Sequence, residues 1–512
     1  MSKKQYMPLP QSVETAIQRL EQAGFACYAV GGCVRDWLLG KQPHDYDLCT
    51  AATPEQTMQA FAGEKVLEIG LKHGTVTVLL QGDPIEITTF RTESAYSDGR
   101  RPDSVAFVSD IEQDLARRDF TINAMAWSPL HGLCDPFGGQ ADLRTRKICC
   151  VGDPQERLSE DALRILRALR FASVLGFSIE THTAQALHNL KEQLCHVSSE
   201  RITAELMRML CGKAVGAVLM EYADIITAIL PELSPMVGFE QHNPHHKYTV
   251  WEHSVRAVEG IRPDDVLRLV MLFHDVGKPA AYSVDERGIG HFYGHPKYSY
   301  DLTKQALSKL RLSGAQEERL LYLVRHHDTP LGSTQKHVRR KLAVHGEEMF
   351  RDLIAVKKAD CIGQGTAPGN LTQLLNTEQL LEQVLEEQSC LTRRDLALNG
   401  YDLIEMGIHG EAIGTYLAAM LNYVLDDPSR NTKQQLTAFL QQNEPHIMEF
   451  TVNGMSAAYC AKQVRKLLLD IPHVARAKVC LDSGCAVIQC EKKISWEQVH
   501  DVLTTAGYEV VI

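Results

Sequence analysis

Two groups of residues in this chain of 512 have types and spacings suited to chemistry. The first is Gly31-Gly32-Cys33-Val34-Arg35-Asp36, followed by Asp45-Tyr46-Asp47. A glycine pair lets main chain come close to a phosphate, and a helix beginning just after it aims its N–H groups at that anion. Asp45 and Asp47 are spaced i, i+2, so on a strand both carboxylates leave one face. Like charges so placed call for a cation. Hard oxygen ligands suit Mg²⁺, and a pair of such ions can activate an attacking hydroxyl and steady a leaving pyrophosphate. Glu86, flanked by Ile85 and Ile87, is the expected third ligand, making Asp45, Asp47 and Glu86 the candidate catalytic set. The same Asp-x-Asp after Pro43 also reads as a turn cap.

The second group is His253, then His274-Asp275 before Val276-Gly277-Lys278, then Asp360. Its spacing is no local metal motif, so only helical packing could gather it. An isolated helical histidine is more often an ordinary surface or core residue. The ordered set resembles the HD phosphohydrolase signature, whose ligands converge from separate helices on one or two divalent ions. His295 and the pair His326-His327 could complete a two-metal site.

These groups must be positioned by very different scaffolds. From Cys27 to about Val151, short runs such as Thr75–Leu80 and Ile85–Phe90 are separated by Gly, Asp and Pro, predicting a compact mixed sheet with a few helices. From Ser159 to about Phe439 the apolar period is helical, as in Leu163, Leu166 and Leu169. Asn443–His446, with Pro445, reads as a linker. The remainder predicts β-α-β-β-α-β, the ferredoxin-like order, with helices over Ala457–Leu469 and Trp496–Ala506. The expected fold is therefore multidomain α+β: a small mixed-sheet head, an all-α neck, body and tail, and a ferredoxin-like C-terminal module. The boundaries read as 1–150, 151–235, 236–365, 366–446 and 447–512. No internal repeat is evident.

Length leaves room for three or four domains and excludes a single small binding module. A hydrophobic share of 44% and a charged share of 23% exclude collagen-like and mainly disordered chains. The best apolar tract, Val266–Phe273, is interrupted by Arg268 and too short to span a bilayer, so no membrane partner is expected. Met1–Leu20 reads as a surface helix without a signal-peptide core, which predicts a cytoplasmic protein. The 14 cysteines are scattered through apolar segments and read as reduced thiols. A formal net charge of −11 argues mildly against nucleic acid, yet Arg100-Arg101, Arg117-Arg118, Arg144–Lys147, Arg164/Arg167/Arg170 and Lys336–Lys341 are local basic clusters.

The glycine-rich segment and its Asp-x-Asp closely resemble the active-site signature of the tRNA nucleotidyltransferase and bacterial poly(A) polymerase family, within the polymerase beta superfamily. The resemblance continues in order. Arg117-Arg118-Asp119-Phe120-Thr121-Ile122-Asn123-Ala124 is similar to the ribose-recognition motif, and Asp135-Pro136-Phe137-Gly138-Gly139 to the head-to-neck hinge. Glu160-Asp161-x-x-Arg164 is similar to the nucleotide-selecting motif, and Ser199-Glu200-Arg201-Ile202 to the neck helix motif.

This resemblance implies a nucleotidyltransferase head at 1–150, a neck that binds nucleotide and RNA, and Mg²⁺ on Asp45 and Asp47. Gly31, Gly32, Arg35, Arg117, Arg118, Asn123 and Arg167 would join nucleotide binding, with Asp119 accepting from a ribose 2′-OH. Asp161 and Arg164 are expected on one face of a helix opened by Ser159. There the carboxylate accepts from the exocyclic amine of cytosine or adenine and the guanidinium donates to the ring, replacing a template base. The polar stretch Glu93–Pro102, with Asp98 and Arg100-Arg101, is the loop whose presence in the family accompanies full CCA addition rather than CC addition.

The implied partners are the 3′ acceptor end of tRNA, CTP and ATP. A poly(A) polymerase shares all these motifs. A rival of another class is an HD phosphodiesterase or phosphatase with an RNA-binding head. Val452-Asn453-Gly454-Met455-Ser456-Ala457-Ala458-Tyr459-Cys460 resembles the loop of heavy-metal-associated domains, but Ala457 stands where the first cysteine belongs. A lone Cys460 predicts that fold without its soft-metal site, leaving a metal-handling function as the weakest reading. Cys480, Cys485 and Cys490 read as strand packing. Oligomeric state is not legible.

Overall fold

The computed structural model of the chain describes all residues except 1–5, 69, 72–73, 94–104, 245–246, 366–368, 388, 443–445, 482, 491–493 and 512. The loop Glu93–Pro102, with Asp98, Arg100 and Arg101, thus lies outside the described residues apart from its first, as does the linker Asn443–His446 apart from its last. Two packed units are present: residues 1–333 with 345–379, and residues 334–344 with 380–512.

The head of the first unit contains β1 (Cys27–Val30), β2 (Asp47–Thr50), β3 (Lys65–Leu67), β4 (Thr75–Leu80), β5 (Asp83–Thr89), β6 (Arg91–Glu93), β7 (Val105–Phe107), β8 (Ala126–Ser128) and β9 (Gly132–Cys134). Seven of these form a mixed sheet in the order β3-β4-β5-β2-β1-β8-β9, while β6 and β7 pair by themselves. β1 runs antiparallel to β2 and β8, and β2 parallel to β5. β4 alternates half-buried and buried residues, the period of a strand with one face on the core. β1 is buried along its whole length, as an interior strand covered on both faces must be. The N-terminal helix, Gln11–Gln22, buries Val13, Ile17 and Leu20.

Beyond the head the first unit is helical, as the period predicts. The helix expected to open at Ser159 instead starts at Pro154 and ends at Glu160. The reason is local: Asp153 accepts from the Glu156 N–H as N-cap, and Pro154 at the first helical position is preset for it. The chain becomes extended at Asp161 (φ −146°, ψ 102°), and a new helix runs over Leu163–Leu175. Thr181–Leu190 and Ser199–Leu210 follow. Five further helices, Val250–Gly260, Asp265–Phe273, His295–Leu307, Gly314–His326 and Glu347–Gln364, carry the histidine and aspartate set or end beside it.

In the second unit, helices Gly400–Glu405, Glu411–Asp426 and Lys433–Gln442 enclose Leu398, Leu403, Met420, Val424 and Leu436. The C-terminal module is an antiparallel sheet in the order Val474–Val479, Cys485–Cys490, His446–Asn453, Glu509–Val511. Helices Ala458–Leu469 and Trp496–Thr505 cover a core of Phe450, Val452, Val464, Leu468, Ile488 and Leu503. This is the ferredoxin-like arrangement. All 14 cysteines are free thiols. Among the described residues no helix is long and apolar enough to cross a membrane.

Candidate functional site

At the end of β1 the chain turns through Gly31 (φ 72°, ψ −120°) into helix Gly32–Leu38. A positive φ favours glycine there, and a Cβ at 31 would sit 2.9 Å from Arg118 Nη1. The missing side chain thus admits a guanidinium against the main chain. Arg118 and Arg117 are both tied to Asp114, a buried carboxylate that accepts from Arg117 Nε at 3.0 Å and Arg118 Nη2 at 3.3 Å. Burial opposes the Asp114 charge, but the two guanidiniums overcome it and hold its pKa below the ordinary carboxylate value.

Arg35 donates to Asn123 Oδ1 at 2.7 Å, and Asn123 in turn donates to Asp119 Oδ1 at 3.2 Å. Arg167 donates to Asp119 Oδ2 at 2.8 Å. Both Asp119 oxygens are engaged, since the Phe120 N–H also donates to Oδ1. Burial works against the Asp119 charge, and Arg167 with these donors brings its pKa below normal. Asp119 therefore locks Asn123 and Arg167 in place, and the expected ribose contact would have to share an oxygen already bonded. The guanidiniums of Arg35, Arg167 and Arg170 lie 5.2, 5.5 and 3.9 Å from the ring centre of Phe171, joining head and neck through one aromatic ring.

The strand after the Asp-x-Asp motif starts only at Asp47, and Asp45 precedes it, so just one of the two carboxylates is a strand residue. The parallel register Leu48↔Ile87 sets Glu86 beside Asp47, one residue earlier on each strand. Desolvation raises the Asp47 pKa, with Arg118 opposing and Asp45 adding to the rise. Loss of solvation dominates that rise, and the like charge of Asp45 is the smaller contribution. Asp45, Asp47 and Glu86 do not form a tight cluster; among the described residues the only groups with ligand atoms all within 4.8 Å lie in the helical body.

Asp161 and Arg164 do not share a helical face. Asp161 sits in the break between helices, where its Oδ1 accepts from the Leu163 N–H at 3.1 Å. Its carboxylate is clamped by Arg201, whose Nη2 lies 2.6 Å from Oδ2 and Nη1 3.2 Å from Oδ1. Arg164, buried, turns instead to Glu160 and to the main-chain carbonyls of Arg157 (2.7 Å) and Arg117 (3.2 Å). Arg201 is the residue that gives the quoted neck motif a task. Asp114, Arg157, Arg201 and Phe171 were not among the expected site residues. The only sequence signal for Asp114 is its place three and four residues before the arginine pair, a helical salt-bridge spacing.

The helical body gathers its set as expected. His253 (on Val250–Gly260), His274 and Asp275 (just past Asp265–Phe273) and Asp360 (on Glu347–Gln364) form one group, and Asp275, His295 and His327 form another. Asp275 belongs to both: its Oδ2 faces His253 and His274 at 3.1 and 3.3 Å, and its Oδ1 faces His295 and His327 at 3.2 and 3.7 Å. The Nδ1 atoms of His274, His295 and His327 each reach a main-chain carbonyl, those of Met271, Phe292 and Val324. A carbonyl only accepts, so each Nδ1 carries a proton and each Nε2 is the ring atom that points inward. Paired Nε2 atoms then face each other at 3.1 Å (His253/His274) and 3.0 Å (His295/His327), a donor set that fits two cations. Gly277 makes the convergence possible, because a Cβ there would meet Ser299 N at 2.4 Å. His326 does not join; its ring lies tilted against Tyr322, with centroids 4.5 Å apart. A cavity of about 300 Å³ opens beside Asp275, His295, His327 and Asp360, with Lys278, Phe292 and the exposed Tyr293 along its wall.

In the C-terminal module Cys460 lies in the first turn of helix Ala458–Leu469 with no second thiol in the loop. Cys490 packs in the core as expected, whereas Cys480 is exposed and Cys485 Sγ donates to Glu449. Cys480 is thus a surface thiol, and Cys485 is half-buried at the start of its strand.

Comparison with known proteins adds three family matches: the poly A polymerase head domain over residues 27–149, the probable RNA and SrmB-binding site of polymerase A over 176–237, and the HD domain over 245–363. A CCA-adding enzyme of Levilactobacillus brevis is 48% identical over 436 residues, covering 84% of this chain and 98% of that protein. A CCA-adding enzyme of Lactobacillus delbrueckii subsp. bulgaricus is 51% identical over 197 residues, or 38% of this chain, and there the chain spans about half the relative, 49%. The crystal structure of the Bacillus stearothermophilus CCA-adding enzyme in complex with CTP superposes with a TM-score of 0.62 at 30% identity, covering 85% of this chain and 97% of that one.

Proposed function

Because the chain belongs to the family of CCA-adding enzymes, we propose that it is a template-independent CCA tRNA nucleotidyltransferase. The 3′-hydroxyl of an immature tRNA attacks the α-phosphate of CTP, twice, and then of ATP, with pyrophosphate leaving each time. The observation that carries this reading is the interlocked cradle at the end of β1, where Gly31 admits Arg118 and where Arg35, Asn123, Asp119 and Arg167 are bonded in series.

In this reading Arg117 and Arg118 bind the triphosphate, and Asp161 with Arg164 reads the base edge. Asp45, Asp47 and Glu86 orient the attacking hydroxyl and hold Mg²⁺, whose exposed hard-oxygen ligands suit it. When bound, Mg²⁺ neutralises charge on the triphosphate and acidifies the hydroxyl. The helical parts recognise tRNA by shape and phosphate charge, so binding weakens with salt. We assign the protein to the cytoplasm and keep the five-part division at 150, 235, 365 and 446.

The test is incubation with Mg²⁺, CTP and ATP of tRNA transcripts ending before CCA, after C and after CC, beside an unrelated RNA, with products read at single-nucleotide resolution. Each tRNA stopping at CCA, with the unrelated RNA untouched, is the expected result. Arrest at CC would remove the loop argument, and long A tails on every RNA would make the protein a poly(A) polymerase.

The double use of Asp275 supports a second activity, a phosphohydrolase in the HD domain acting on a phosphate ester. His253, His274, Asp275 and Asp360 hold one divalent ion, and Asp275, His295 and His327 a second. The mixed imidazole and carboxylate set suits transition-metal ions better than Mg²⁺. When bound, such ions supply Lewis acidity toward the ester. Hydrolysis of phosphodiester and phosphomonoester substrates by protein loaded with Mn²⁺ or Ni²⁺, absent from Asp275→Ala, tests it.

A further inference from the structure

The geometry points to Arg157 as the residue that positions Arg164, and so as a determinant of nucleotide selectivity that touches no nucleotide itself. The inference rests on the base-reading role given above to Asp161 and Arg164. Arg157 lies on helix Pro154–Glu160, half-buried, one turn before the helix break at Asp161. Its guanidinium spans the junction of head and neck: Nε donates to the Val151 carbonyl at 3.2 Å, Nη1 to the Arg117 carbonyl at 3.2 Å, and Nη2 to the Ala116 carbonyl at 2.8 Å. Nη1 also donates to Glu160 Oε2 at 2.8 Å.

Arg164 shares two acceptors with this fork and takes a third from the main chain of Arg157. Its Nη1 reaches the main-chain carbonyl of Arg157 itself and Glu160 Oε2, the oxygen that Arg157 already holds. Its Nη2 reaches the Arg117 carbonyl, again one that Arg157 holds. A guanidinium is a rigid planar fork, so fixing its acceptors fixes its plane. Reading a base edge by donated hydrogen bonds depends on that plane. Arg157 thus sets the orientation of Arg164 through shared acceptors. The shared Arg117 carbonyl also precedes Arg118, which lies against Gly31 in the phosphate cradle, so the same fork ties base selection to phosphate binding.

Arg157→Gln removes the charge and most of the fork, whereas Arg157→Lys keeps the charge with a single donating head. On a tRNA ending before CCA, kcat/KM is measured for CTP and for UTP, and on one ending in CC for ATP and for GTP. The expected result is that Arg157→Gln lowers the CTP/UTP and ATP/GTP ratios by about tenfold or more, and that Arg157→Lys also loses selectivity, because a point charge cannot hold three carbonyls and a carboxylate in one plane. Unchanged ratios in folded Arg157→Gln, whatever happens to kcat, overturn the proposal. If neither variant folds, the fork is a structural brace only and the proposal is equally overturned. Wild-type protein run in parallel separates the two readings: if it adds no nucleotide, the proposed activity fails; if it adds C and A selectively and the variants do too, only the assignment of Arg157 fails.

Discussion

Arg201 Nη2 stands 2.6 Å from Asp161 Oδ2, and this pair, made between helix Ser199–Leu210 and the helix break at Asp161, holds the carboxylate proposed to read the nucleobase. Three residues further on, Arg164 faces Glu160 instead. The two side chains proposed to replace a template are thus oriented by different neighbours. Their contributions to selectivity should be separable, whereas Asp161 and Arg201 should act as a unit.

Asp161→Ala is expected to cut kcat/KM for CTP by about 10- to 100-fold, the worth of one good base-edge contact. Arg201→Ala should cost nearly as much, and the double variant little more than Asp161→Ala alone. Full additivity of the two losses in a double-mutant cycle would rule out the coupling.

Gly31→Ala should act differently. Its main-chain conformation costs an alanine about 1–3 kcal/mol, and the new methyl group meets the Arg118 guanidinium. KM is expected to rise about tenfold for CTP and ATP alike, leaving the preference over UTP and GTP unchanged. A changed preference in steady-state kinetics would contradict a phosphate-binding role.

Asp114→Asn leaves Arg117 and Arg118 without their shared counter-charge and should destabilise the protein by about 3 kcal/mol at neutral pH. The folded pKa of Asp114 is depressed, so its contribution is present above the unfolded value, about 3.9, and is lost as pH falls through the folded value. Urea midpoints of wild type and Asp114→Asn should therefore converge below about pH 4. A gap that persists or widens in acid would show that the carboxylate charge is not what stabilises.

Asp275 joins both histidine pairs, so the metal content of variants should follow a simple pattern. Protein loaded with Mn²⁺ and desalted should retain two ions per chain in wild type, one in His253→Ala, one in His327→Ala and none in Asp275→Ala, by plasma mass spectrometry. Equal loss in all three variants would point to a single ion. Binding only to the folded state should also raise the melting temperature on loading.

Sequence and structure agree best where one strong local rule decides. The glycine turn, the alternation of Thr75–Leu80 and the helical period after Leu163 all reappear as predicted, because each depends on residues close in the chain. The His253, His274, Asp275, Asp360 set was legible as ligand chemistry, and packing supplied only the convergence. What failed was the helix start at Ser159, where a stronger cap at Asp153-Pro154 six residues earlier took precedence and broke the face that Asp161 and Arg164 were expected to share. Partners far apart in sequence, such as Arg201 for Asp161 or Arg157 for the Arg117 carbonyl, carry no periodic signal at all. Nor does the sequence say which of two adjacent histidines turns inward, His327 rather than His326.

Three of the four inward histidines share one detail: each Nδ1 is tethered to the carbonyl three residues earlier, Met271 for His274, Phe292 for His295 and Val324 for His327. Every tether is made within the chain's own local turn, so ring orientation is fixed at folding and little rotamer entropy is left to lose when an ion arrives. A cage of this stiffness would discriminate by ionic radius, resisting the larger, irregular coordination shell of Ca²⁺ and favouring small ions that match the imidazole spacing already present.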